Sequence, residues 1–246
     1  MAGYEAVISS LADLWDRLFS AQPVPPRTVI LVTGVVALLG VLIRPVWRIT
    51  RNFVTIAHEG GHALAAVLTG RRLSGIRLHS DTSGLTLSKG RPRGPGMVIT
   101  GLAGYITPPL LGLGASGLLA LGYITLLLWL LLLLLATMLI MIRNVYGVIS
   151  VVLTIAIILG VSVYASPDVQ SAFAYVFAWF LLLGGVRAVF ELQQSRFRRQ
   201  APGSDADQVG HLTHVPALLW VTFFALVSLA CLAVSAQWLV NVSFYR

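Results

Sequence analysis

The sequence predicts an all-α membrane protein: a polytopic helical bundle of about six to seven spans, with a small β-hairpin after the second of them. Three observations carry that prediction. Of 246 residues, 57% are hydrophobic and 11% charged, with a mean hydropathy of +0.85. A soluble domain carries about a quarter of its residues charged, and one soluble core cannot bury this much apolar side chain. The apolar residues are gathered into runs of about 20, the length at which a helix crosses the hydrocarbon core. The formal charge of +8 comes almost wholly from arginines placed between those runs, which is the pattern of the positive-inside rule. No basic face with interleaved aromatics accompanies them, which argues against a nucleic-acid partner.

Residues 1–26 read as an interfacial amphipathic helix and a linker. Glu5, Asp13 and Asp16 stand where a cleavable signal would be basic, so no signal peptide is expected. Val7, Leu11, Leu14 and Leu18 recur at helical spacing, and Pro23, Pro25 and Pro26 end the helix. Residues 27–246 then form a single polytopic domain. Its apolar runs fall at 28–46, 51–70, 94–119, 121–142, 145–165, 172–190 and 216–240. The third is glycine-rich and holds Pro108 and Pro109, so it is expected to be kinked or broken. The fourth is an almost unbroken leucine run and faces lipid. Cys231, the only cysteine, lies inside the last run and reads as a small buried hydrophobe, which excludes a disulfide scaffold or a multi-cysteine zinc site.

Two polar segments interrupt the spans. In the first, Leu73, Ile76 and Leu78 precede Ser80, Asp81, Thr82, Ser83 and Gly84, and Leu85, Thr86 and Leu87 follow, the pattern of a β-hairpin. The second covers 191–215 and holds Arg196, Arg198, Arg199, Asp205 and Asp207. Taking 71–93, Arg143 and 187–199 as cytoplasmic lets the third to sixth spans alternate and puts most arginines inside. This orientation leaves Arg44, Arg48 and Arg51 outside, so either the second helix is not a full crossing or the rule is locally broken. It also brings the end of the second helix, the hairpin and the Asp205 segment to one side of the membrane.

The chemistry is concentrated in His58-Glu59-Gly60-Gly61-His62. On a helix, positions i and i+4 share a face, so two imidazoles there can hold one metal ion, and the glutamate beside the first can reach a water at that metal. Ionisable groups inside an apolar run are costly and point to function. A catalytic zinc takes three protein ligands and one open position. The third is sought among Asp205, Asp207, His211, His214, His79 and Asp81, with Asp205 and Asp207 the attractive choices because they stand just before the last span. Gly60, Gly61 and Ala63 serve close helix packing, room for a substrate backbone, or both. Asn144 reads either as a helix cap or as a donor to a substrate carbonyl or oxyanion.

With the hairpin and the Gly101-Leu102-Ala103-Gly104-Tyr105 stretch, this HEGGH helix resembles the site-2 protease family of intramembrane zinc metalloproteases, in particular its small bacterial branch without a PDZ domain. Ser204-Asp205-Ala206-Asp207, followed by Leu212-Thr213, Pro216 and Trp220, is similar to a segment of that branch. The resemblance implies zinc held by His58 and His62, Glu59 as general base, and a later aspartate as third ligand, with Asp205 the best equivalent and Asp207 next. The Asn-x-x-Pro and Leu-Asp-Gly motif of the main family is absent; Asn144 is a partial echo of it.

The resulting expectation is a zinc metalloendopeptidase of the bacterial plasma membrane. Its site lies nearer the cytoplasmic side, its substrates are transmembrane proteins, and an unwound substrate segment adds to an edge of the hairpin. The alternative is a catalytically silent membrane scaffold with a structural metal, against which an intact Glu59 argues. A transporter would need an internal repeat, and none is found.

Overall fold

The structure, a computed structural model, describes residues 13, 15–200 and 203–241. Residues 15–19 are helical; Val7, Leu11 and Leu14 of the expected N-terminal helix lie outside the described residues. The chain then runs α1 (Arg27–Leu42), α2 (Arg44–Leu68), β1 (Arg72–Leu78), β2 (Gly84–Lys89), α3 (Pro95–Ala120), α4 (Ile124–Met141), α5 (Val145–Tyr164), α6 (Pro167–Phe197), α7 (Asp205–Thr213) and α8 (Ala217–Asn241).

Five of these helices, α3, α4, α5, α6 and α8, are long and apolar enough to cross a membrane, which marks an integral membrane protein. The sixth candidate is α1 and α2 taken together, bent by 102° at Ile43. The bend has a local cause. Pro45 has no N–H to give the preceding turn and its ring clashes there, so α1 stops and a new helix starts with proline in its first turn. Helix α2 by itself does not have the length and apolarity of a crossing; it qualifies only together with α1. With Arg44, Arg48, Arg51, His58, Glu59 and His62 along it, α2 is amphipathic rather than apolar throughout.

The α1–α2 joint is tied to the C-terminal half of α6 through Glu191. Its carboxylate accepts from Trp47 Nε1 at 2.7 Å and Arg187 Nε at 2.9 Å, and Arg51 Nε lies 3.5 Å away. The Arg187 guanidinium also stands 4.6 Å above the Trp47 ring. Arg44, Arg48 and Arg51 thus sit at the end of the bundle that also carries Arg187 and Arg196. Of the two alternatives the sequence left open, this grouping through Glu191 favours a second helix that is not a full crossing.

Helix α3 lies at the centre, packed against α2, α6, α7 and α8. It is one uninterrupted helix despite Pro108 and Pro109. Both prolines are buried, and Pro109 lies against Gly185 of α6, so neighbouring helices cover a stretch that would otherwise open. The deepest core belongs to α6, where Ala174, Tyr175, Ala178, Leu181 and Leu182 are all buried. In α4 the leucine run is two-faced: Leu127, Leu128, Leu131, Leu132 and Leu135 are buried, whereas Leu130, Leu133 and Leu134 are exposed for lipid.

The hairpin is antiparallel, with a register shift between Leu73 and Gly75. Its β1 strand is clamped by the α4–α5 connection: Arg143 N donates to Ile76 O at 2.9 Å, and the Asn144 side-chain amide pairs with both backbone groups of Leu78. On the other side β2 rests on α2. Among the described residues only β1 pairs with β2, so β2 is an edge strand.

Candidate metal centre

The HEGGH segment, five residues long, spans little more than one turn of α2, and its small residues admit close neighbours. A Cβ on Gly61 would lie 2.8 Å from Ala103 O, and a Cβ on Gly104 would lie 2.6 Å from His58 Nε2. The glycines therefore let α2 and α3 approach until the two imidazoles lie over the α3 backbone. A Cβ on Gly101 would lie 2.7 Å from the Val209 side chain, so the same stretch of α3 admits α7.

That approach brings Asp205, the first residue of α7, to the histidines. His58 Nε2 and His62 Nε2 are 3.1 Å apart, and Asp205 Oδ2 lies 3.1 Å from the first and 3.2 Å from the second. Three ligand atoms form a nearly equilateral triangle. A tetrahedral zinc with bonds of about 2.0–2.1 Å places its ligand atoms about 3.3 Å apart, so the triangle has the size such an ion requires. His62 Nδ1 stands 2.6 Å from Thr100 O. Donation to that carbonyl fixes the tautomer and turns the lone pair of Nε2 toward Asp205. Lone pairs and a carboxylate converging at such distances repel unless a cation lies between them, so the donor set fits a zinc ion.

Glu59 is 4% exposed and is held from β2. Thr86 Oγ1 lies 2.6 Å from Glu59 Oε2 and 3.1 Å from Glu59 O, and a Cβ on Gly84 would lie 2.5 Å from Glu59 Oε1. Thr55, one turn earlier, donates to Thr82 O at 2.8 Å. The hairpin is thus fastened to α2 at the glutamate and one turn before it. Tyr105 meets the His58 ring edge-on at 4.7 Å and stacks on Phe224 of α8, which walls the site with aromatics.

The other candidates lie elsewhere. Asp207 accepts from Ser204 Oγ at 2.8 Å and pairs with Arg196. Burial would raise its carboxyl, and those two partners pull it down. His211 and His214 are exposed, and His214, in the left-handed conformation, ends α7. At the hairpin tip, Asp81 accepts from Ser83 N and Ser83 Oγ, at 2.9 and 2.6 Å, and His79 lies 3.3 Å from Ser83 Oγ. Asn144 serves Leu78 and does not line the cleft of about 1650 Å³ that contains His58, Glu59, His62 and Asp205. Sequence reasoning missed Thr100, whose carbonyl orients His62, and gave Thr86 no role beyond the hairpin. The available signal was the glycine spacing of three at Gly101 and Gly104, which marks a helix approached closely by two others.

A family described as Peptidase M50B-like, related to the site-2 proteases, matches residues 31–235. No curated protein and no solved structure matches the chain.

Proposed function

The chain belongs to the Peptidase M50B-like family, and from that premise we propose that it is an intramembrane zinc metalloendopeptidase cutting transmembrane segments of other proteins. The observation that carries the reading is the triangle of His58, His62 and Asp205 beside Glu59, held in a cleft among helices long enough to cross a membrane. His58, His62 and Asp205 would hold the zinc. When bound, zinc lowers the pKa of water toward 7 and polarises a scissile carbonyl.

The remaining steps belong to the chain. Glu59 takes a proton from the attacking water as the new carbon–oxygen bond forms, and returns it to the nitrogen as the carbon–nitrogen bond breaks. Thr86 orients the carboxylate for both transfers. A substrate helix hides its carbonyls and must unwind to be cut, and the unpaired edge of β2 offers its backbone a strand to pair with. The arginine-rich end of the bundle, read by the charge rule, supports a site nearer the cytoplasmic face of a bacterial plasma membrane. The segment Ser204–Asp207, shaped into the start of α7, supports the small branch without a PDZ domain.

The test is cleavage by the zinc-loaded full chain in proteoliposomes, read by mass spectrometry on a library of apolar helical peptides with single small-residue interruptions. Wild type cuts a subset. Glu59→Gln keeps its zinc and loses at least about a hundredfold in turnover. A zinc-replete wild type that cuts nothing, or a Glu59→Gln chain as active as wild type, overturns the reading.

A further inference from the structure

Six residues of α2 follow one another at steps of four and three: Arg44, Arg48, Arg51, Thr55, His58 and His62. That spacing is a single stripe on a helix, and all six line the same cleft. The arginines that the charge rule treats as a topological signal are therefore on the reacting face of the helix. Its lipid-exposed apolar residues are others, with Ile49 77% and Leu68 76% exposed. Arg51 is balanced by Glu191, as is Arg187. Arg44 and Arg48 are exposed, and among the described residues neither meets a carboxylate within ion-pair distance. Arg198, also exposed, lines the cleft with them.

We propose that this row of arginines, Arg44 and Arg48 above all, is a substrate-recognition subsite for an acidic peptide segment flanking the bond to be cut. The proposal rests on the proteolytic reading and adds the class of substrate to it. Distance sets its register. Arg51 and Arg44 precede His58 by two and four turns, which is roughly 10 and 21 Å along the helix axis. An extended chain rises about 3.3 Å per residue. Carboxylates about three to six residues from the scissile bond then reach the row while that bond lies at the metal. Arginine suits the task because its planar fork meets a carboxylate through two parallel hydrogen bonds. Anionic lipid headgroups offer the arginines a related charge. Yet a headgroup has no reason to sit on the face that also carries His58 and His62, whereas a substrate must.

The experiment measures binding, so that it does not depend on turnover. The full-length Glu59→Gln chain is placed in phosphatidylcholine nanodiscs, and fluorescence polarisation follows two labelled peptides. Both share one apolar segment; one carries three Asp or Glu residues four to six positions from its centre, and its twin carries Asn and Gln there. The acidic peptide binds roughly three- to tenfold tighter at low salt, and the gap closes in high salt. Arg44→Gln with Arg48→Gln abolishes the gap while zinc content and elution volume stay those of the parent. Arg48→Glu shifts preference toward a third peptide bearing Lys at the same positions. Equal binding of the twins, or a gap that survives the double substitution, overturns the proposal. So does a double substitution that lowers binding of fluorescent phosphatidylglycerol only, which would give the arginines to lipid. Failure of wild type to cut either peptide would strike the proteolytic reading instead and leave the binding result standing.

Discussion

Asp205 and Asp207 carry the same side chain two positions apart, and their partners give them different work. Asp205 begins α7 and points at two imidazoles, whereas Asp207, about half a turn on, is held by Arg196 and Ser204. The pair Ser204 and Asp207 has the spacing of a capping box, a signal that could have separated the two acids from sequence. The close approach of α2 to α3 makes a second residue-level demand, on Gly104. Gly104→Ala drives a methyl into both imidazoles, which Thr100 and Tyr105 leave no room to turn. A loss of tenfold or more in zinc affinity follows, read by competition with a chelator. Gly114→Ala, where nothing lies within 4 Å of the added carbon, leaves affinity unchanged. Equal affinities in the two variants would contradict this packing account. His58, Glu59 and His62 were legible as a candidate site because their spacing suits the chemistry. Thr100 was not, because a backbone carbonyl that orients a histidine has no residue-type signature.

Among the elements, the hairpin and the apolar helices were legible within a few residues, since alternation and long runs report directly on strand and span. The second helix was not. Total hydropathy over 51–70 resembles a span, but the polar residues of α2 lie on one face, and Pro45 turns the helix away from α1 by 102°. The grouping of Trp47 and Arg51 with α6 rests on the Glu191 contacts, which no local pattern announces. On this account Arg44 and the hairpin tip face the same aqueous compartment, and the end of α5 faces the other. In a Cys231→Ser background, Arg44→Cys and Asp81→Cys react with an impermeant thiol reagent from one side of oriented vesicles, and Tyr164→Cys reacts from the opposite side. Labelling of Arg44→Cys together with Tyr164→Cys would restore α2 as a separate crossing.

At the scale of the whole molecule, the candidate centre exists only because distant parts of the chain converge. Helix α2 supplies two imidazoles, the short α7 supplies a carboxylate, α3 gives both room, and β2 holds the glutamate. Family membership implies a peptidase, and the fit of His58, His62 and Asp205 to one ion supports the claim that this peptidase works with zinc. The most direct test is the zinc content of the purified full chain by mass spectrometry, for wild type, His58→Ala, Asp205→Ala and Asp207→Ala, each shown to be folded. The account predicts about one zinc per chain in wild type and in Asp207→Ala, and almost none in His58→Ala and Asp205→Ala. Zinc retained by Asp205→Ala and lost by Asp207→Ala, or a folded wild type that binds none, would contradict it.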